Sequence, residues 1–163
     1  MADNKLVIAW LNDAHAFEKT LAATLEEQVK VAADHPAVQQ GIERHLEQTK
    51  QHAETLEGCL QELGESPSSV KDAMGTIGGK IQSMMPGAAK DDLLKAALND
   101  YSAEHMEIAS YQSLIVAANE LGLSGIATRL EGILAEEQAM ATWLEESIPL
   151  LTREALAKGG NQG

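Results

Sequence analysis

The stretch Ile42-Glu43-Arg44-His45-Leu46-Glu47-Gln48-Thr49-Lys50-Gln51-His52-Ala53-Glu54-Thr55-Leu56 reads as an amphipathic helix with a polar interruption on its inward stripe. Val38, Ile42, His45, Thr49, His52 and Leu56 recur at helical spacing on one face, and the three middle positions are polar. Polar groups in the middle of a buried stripe are costly unless they serve one another or an ion. A second stretch lies 88 residues further on, from position 49 to 137: Glu137-Gln138-Ala139-Met140-Ala141-Thr142-Trp143-Leu144-Glu145. Superposed, Thr49-x-x-His52 and Glu137-x-x-Met140 make one Glu-x-x-His, the pair that a di-metal carboxylate bundle takes from each of two helices.

Working outward, helical periodicity and its breakers predict an all-α chain of four long helices. We place α1 near 5–32, α2 near 36–63, α3 near 90–121 and α4 near 124–157, with a frayed tail over 158–163. Asp34-His35-Pro36 ends α1 and puts Pro36 in the first turn of α2; Gly122-Leu123-Ser124 ends α3, with Ser124 expected to cap α4. The links are therefore about 3, about 26 and about 2 residues long. Short links make antiparallel neighbours, whereas the long one must carry the chain back along the bundle, about 42 Å for 28 helical residues. That is the crossover of a ferritin-like four-helix bundle in a single domain. Val70, Met74, Ile77, Ile81, Met84 and Met85 suggest one or two short helices in the crossover, 64–89, while Gly75, Gly78, Gly79 and Pro86-Gly87 interrupt them. The methionines read as packing, with a dimer contact as the alternative.

The other helices repeat the interruption. The inward stripe of α1 is Leu11, Ala14, Glu18, Leu21 and Leu25; that of α3 is Leu94, Ala97, Tyr101, Glu104, Ile108, Tyr111 and Ile115, with Glu107 beside it. In α4 it is Leu130, Ile133, Glu137, Met140, Leu144 and Ile148. Counted from position 34, Glu18, Thr49 and His52 lie 15–18 residues away, and counted from 122 so do Glu104, Glu107, Glu137 and Met140. All converge on one level, and His45 sits about 6 Å from it along the axis. Glu18, His45, His52, Glu104, Glu107 and Glu137 are the candidate metal ligands, a nitrogen and oxygen set suited to Fe, Mn or Zn.

Two alternatives stand beside that reading. In a metal-free polar core, Glu18 pairs with His45 or His52, and Tyr101 or Tyr111 hydrogen-bonds Glu104. A small rotation of the helices would instead expose Glu107 or Glu137 and turn Glu136 inward. His15, His35 and His105 read as flank or surface residues, Asp13 as solvated and Cys59 as core.

Composition narrows the partners. The 163 residues carry a net charge of −13, which repels phosphate backbones and anionic lipid, so neither nucleic acid nor membrane is expected. The single cysteine rules out an internal disulfide, and Met1–Lys5 lacks the basic and apolar pattern of a signal peptide, so a cytoplasmic protein is expected. No nucleophile–base arrangement is visible, and the glycines at 75–79 do not follow a strand as a phosphate loop would.

Four segments carry a family resemblance: Trp10-Leu11-Asn12-Asp13-Ala14-His15-Ala16-Phe17-Glu18-Lys19, Glu43-Arg44-His45-Leu46-Glu47-Gln48-Thr49-Lys50, Glu104-His105-Met106-Glu107-Ile108-Ala109-Ser110-Tyr111 and Ile133-Leu134-Ala135-Glu136-Glu137. Over about 6–155 the chain resembles the YciE/YciF-type ferritin-like proteins of bacteria, and looks closer to the YciE branch. The resemblance implies a ferritin-like bundle, a homodimer and association with stress responses. Glu47–Glu54 also looks like a rubrerythrin helix, with Thr49 where a metal-bridging Glu would be and Met140 where a His would follow Glu137. Thr is a weak ligand and Met a soft one, so the resemblance implies a partly degenerate di-metal site with at most weak peroxide or oxygen chemistry. The competing expectation is a non-catalytic helical dimer with a metal-free polar core, serving stability or partner binding under stress. A storage cage ranks third, since no carboxylate-rich channel can be argued. Neither leading reading names a substrate.

Overall fold

The structure is a computed structural model that describes residues 4–67 and 92–160. Four long helices make it up: α1 (Lys5–Val31), α2 (Pro36–Glu62), α3 (Asp92–Glu120) and α4 (Ser124–Gly160). No strand occurs among the described residues.

Local chemistry sets each end. A 3-10 turn over Ala32–Asp34 closes α1, and His35 adopts the extended backbone (φ −129, ψ 75) that a residue before proline prefers. Pro36 then starts α2, where its missing N–H costs nothing. Both α2 and α3 end in the same way. Glu65 N–H bonds Leu60 O and Gly64 N–H bonds Gln61 O, and likewise Leu123 N–H bonds Ala118 O and Gly122 N–H bonds Asn119 O. Gly64 (φ 81) and Gly122 (φ 73) take the left-handed conformation that this double closure requires. Ser124 does not cap α4: the Leu123 carbonyl accepts the N–H groups of Ile126 and Ala127, so Leu123 holds the capping position and Ser124 is already helical.

Side-chain pairings give the helix directions. Gln28 meets Asp100 and Glu18 meets Tyr111, so α1 and α3 are antiparallel. His45 lies against Glu104, while Leu56 and Leu60 share a cluster with Leu114 and Ala118, so α2 and α3 run the same way. The end of α2 and the start of α3 therefore lie at opposite ends of the bundle. The short helices expected in the crossover fall on 68–91, outside the described residues.

Two apolar regions flank a polar layer. At one end Val7, Leu11, Leu56, Leu60, Leu114 and Leu130 pack together; toward the other, Phe17, Leu21, Leu25 and Ile42 form one cluster and Ala97, Met140, Leu144 and Leu151 another. Gly41 lets α2 approach the Trp143 ring, since a Cβ there would sit 2.2 Å from Trp143 Cζ2. Contrary to the expected tail at 158–163, α4 continues to Gly160, because its last turns dock on the α1–α2 turn. There His35 Nδ1 lies 3.1 Å from Glu154 Oε2, and Lys158 Nζ lies 3.2 Å from His35 Nε2.

The face of α3 differs from the expected one by about one residue. Its buried stripe is Asp100, Glu104, Glu107, Tyr111, Leu114 and Ala118, while Leu94, Tyr101, Ile108 and Ile115 are half-buried flanks. No helix among the described residues is long and apolar enough to cross a membrane.

Candidate metal centre

The polar layer gathers residues from all four helices. Glu18 comes from α1, His45, Thr49 and His52 from α2, Glu104 and Glu107 from α3, and Glu137 from α4; every one is buried. The rotational question about α4 has a definite answer: Glu137 is 0% exposed, whereas the Glu136 side chain is 45% exposed. His35 and His105 lie away from the centre, His35 on Glu154 and His105 with its ring against Tyr101. His15, on α1, is buried rather than superficial, and the charge of Glu57 on α2 opposes the downward pull of that burial on its ring.

Two groups of three donors form. Glu18, His52 and Glu137 make one, His45, Glu104 and Glu137 the other, and within each the ligand atoms all lie within 4.8 Å of one another. Glu137 belongs to both, as a carboxylate placed between two neighbouring ions would. His52 Nδ1 is 2.8 Å from Glu137 Oε1 and 3.4 Å from Glu18 Oε1; His45 Nε2 is 2.9 Å from Glu104 Oε1. Despite these distances neither nitrogen has a well-aligned hydrogen bond, and Glu104, Glu107 and Glu137 leave both carboxylate oxygens unpartnered. Buried polar atoms are normally paired. Donors that converge without bonding one another are the arrangement that a cation between them would complete.

Glu107 stands outside both groups, beside Glu18. Thr49 is buried with its hydroxyl unpartnered, and Met140 packs into the apolar cluster with Ala97 and Leu144. The polar-core alternative is realised in part: His52 adjoins Glu18, but Tyr111 donates its hydroxyl to Glu18 rather than to Glu104.

Burial dominates the electrostatics. It pushes the Glu104 carboxyl far above the usual carboxylate range, with Glu137 and Glu107 adding to the effect. Burial also raises Glu107, helped by the charges of Glu18 and Glu137, and raises Glu18 against the opposing pull of His52. Glu137 goes down instead, because contacts with His52 and Glu104 outweigh its burial. Desolvation takes His45 down to about 4, whereas at His52 the Glu137 and Glu18 carboxylates overcome desolvation and lift it to about 10. Without a metal, burial therefore favours protons on Glu18, Glu104 and Glu107, while His52 and Glu137 favour each other's charged forms. A divalent ion would displace those protons.

Three participants lie outside the sequence-derived set. Asp100, one turn before Glu104, accepts a 2.9 Å hydrogen bond from Gln28 Nε2, and burial raises its carboxyl to about 7. The i, i+4, i+7 spacing of Asp100, Glu104 and Glu107 was a signal for it, masked by the equally regular Tyr101 series. Glu136 Oε2 lies 2.7 Å from His52 Nε2. Tyr111, expected on the stripe, is the hydroxyl donor to Glu18.

Fold and site together define a ferritin-like four-helix bundle whose buried carboxylate and histidine groups can hold a metal ion. The chain belongs to the family described as domain of unknown function DUF892, which matches residues 3–157. It is 29% identical over 135 residues to protein YciF of Escherichia coli K12, covering 79% of this chain and 80% of that protein. A crystal structure of a Xanthomonas campestris pv. campestris protein aligns with a TM-score of 0.80 at 29% identity, over 96% of this chain and 97% of that one. The crystal structure of the Escherichia coli stress protein YciF aligns with a TM-score of 0.78 at 22% identity, over 94% of this chain and 99% of that one, and shares the fold.

Proposed function

We propose that this protein is a metal-binding ferritin-like stress protein whose bundle core holds a pair of Fe, Mn or Zn ions and carries weak peroxide or oxygen chemistry. One ion is assigned to Glu18, His52 and Glu137, the other to His45, Glu104 and Glu137, with Glu107 available beside Glu18. The observation that carries the reading is Glu137, shared between two groups whose buried donor atoms lack hydrogen-bond partners. Glu136 adds support. Ligating imidazoles commonly donate their second ring N–H to a carboxylate, and Glu136 is placed to receive it from His52. Thr49 and Met140 supply no hard anionic ligand, which is why the chemistry is assigned as weak.

The stress role rests on similarity to YciF. Homodimerisation, a cytoplasmic location and placement nearer the YciE branch rest on the sequence reading, and belong to the same proposal. Elemental analysis of protein purified without chelator, then reconstituted with Fe, Mn or Zn, tests the centre. Stoichiometric metal is expected; less than about 0.2 ion per chain would leave the metal-free helical dimer as the better account.

A further inference from the structure

Between α1 and α3 runs a groove of about 330 Å³. That volume is at the low end of the ~300–1,000 Å³ of small-molecule sites and suits one ring system with a short arm. Phe17, Tyr111 and Leu114 lie buried along it, and the exposed Trp10 and Met106 flank them, so its body is apolar. Asp13 on α1 and Ser110 and Ser113 on α3 line the same groove, and all three are exposed. Glu107 lines it too, but both its oxygens are shut off from solvent and offer a ligand no contact. The polar partners within reach are therefore Asp13 and the two serines.

What those groups can do is fixed by hydrogen bonds already made. Ser110 Oγ donates to Met106 O at 2.8 Å, and Ser113 Oγ donates to Ala109 O at 3.0 Å, each one turn back along α3. A serine hydroxyl has a single proton, so each oxygen presents only lone pairs to the groove. The Tyr111 hydroxyl gives its proton to Glu18 in the same way. A carboxylate only accepts, so among these side chains the Trp10 indole N–H is the one donor left. The groove thus sets three accessible acceptor groups, one of them charged, beside an apolar body, on a chain with a net charge of −13.

From this arrangement we infer that the groove binds a primary organic ammonium ion with an apolar ring, the ammonium among Asp13, Ser110 and Ser113 and the ring against Trp10 and Phe17. An ammonium group carries three donors and no acceptor, which complements that set. A neutral hydroxyl brings one donor to three acceptors, and an anion would meet the Asp13 carboxylate and the serine lone pairs. Asp13, Ser110 and Ser113 are not among the residues assigned to metal, so the site goes beyond that reading and does not depend on it.

The test uses full-length protein freed of metal with chelator and titrated with phenethylammonium, the neutral phenethyl alcohol and the anionic hydrocinnamate. Indole N–H resonances are followed in isotope-labelled protein, with Trp10→Phe identifying the Trp10 signal. The ammonium ion should move the Trp10 resonance saturably, with half-saturation at or below about 1 mM, and leave that of Trp143, which packs on Gly41. The alcohol and the carboxylate should bind about tenfold more weakly or worse. Asp13→Asn should weaken ammonium binding about fivefold or more and change alcohol binding by less than about twofold. Asp13 is exposed, so this variant should fold as the wild type does. Absence of a Trp10 response, equal movement of Trp10 and Trp143, alcohol or carboxylate binding as tightly as the ammonium ion, or unchanged ammonium binding in Asp13→Asn would each overturn the inference. The metal is removed beforehand and no assigned ligand is altered, so failure here leaves the metal proposal standing, and a core that takes up no metal leaves the groove standing.

Discussion

Glu136 grips His52 from outside: its Oε2 lies 2.7 Å from Nε2, while Nδ1 on the opposite side of the ring faces Glu137 and Glu18. One half-exposed carboxylate therefore fixes both the orientation and the tautomer of a buried imidazole. If Nδ1 ligates an ion, Glu136→Gln should weaken metal affinity about 10–100-fold without unfolding the bundle, since residues of this kind typically contribute that much. Competition against a chromogenic chelator measures it. Equal affinity in variant and wild type would show that His52 is not a ligand.

Gly41 and Trp143 make a packing prediction that involves no metal. A Cβ at position 41 would lie 2.2, 2.5 and 2.9 Å from three atoms of the indole, so the ring or the α2 backbone must move. Overpacking of this kind costs about 1–3 kcal/mol. Urea denaturation of Gly41→Ala should show that loss, and Gly41→Ala combined with Trp143→Leu should recover part of it. Wild-type stability in the single variant would mean that the α2–α4 contact is looser than it looks.

Asp100 gives a pH dependence whose sign can be worked out. Burial raises its carboxyl from 3.8 to about 7 in the folded protein, against a smaller opposing pull from Gln28. The folded state therefore holds the proton more tightly than the unfolded chain. Stability from this group is full below about pH 3.8 and is lost as pH rises through about 7, by up to roughly 4 kcal/mol. Asp100→Asn keeps an oxygen for Gln28 and removes the titration, so it should stabilise the metal-free protein at pH 8 and change little at pH 4. Equal effects at both pH values would contradict the assignment.

The parts of this architecture that were legible in the sequence are those fixed by local chemistry. Pro36, Gly122 and the two short turns set the antiparallel pairs, and counting residues from those turns brings Glu18, His52, Glu104 and Glu137 to a common level. What depends on packing between helices was not legible. In α3 the series Leu94, Tyr101, Ile108, Ile115 is as regular as the series through Asp100, Glu104, Glu107 and Tyr111, and only the contacts with Gln28 and Glu18 show which faces inward. Glu136 looks solvated beside an inward Glu137, and its role appears only when α2 brings His52 within reach. The α4 end follows the same rule: glycines at 159 and 160 suggest fraying, but His35, at the start of α2, contacts Glu154 and Lys158.

The buried acids link metal binding to folding. An ion that binds only the folded chain stabilises it by about 2.7 kcal/mol when its free concentration is 100 times Kd. For a domain of this size that corresponds to a rise in Tm of about 5–10 °C. Calorimetry with added Mn or Zn should show the rise at pH 7.5 and a smaller one at pH 5.5, where the protons on Glu18, Glu104 and Glu107 compete more strongly with the ion. Glu104→Ala removes a donor from the group that also contains His45 and Glu137, so its rise should fall to half or less of the wild-type value. An ion bound at the acidic surface would behave differently: Glu104 is not among the surface carboxylates, so the same rise would appear in both proteins. That pattern would place the bound metal outside the bundle core.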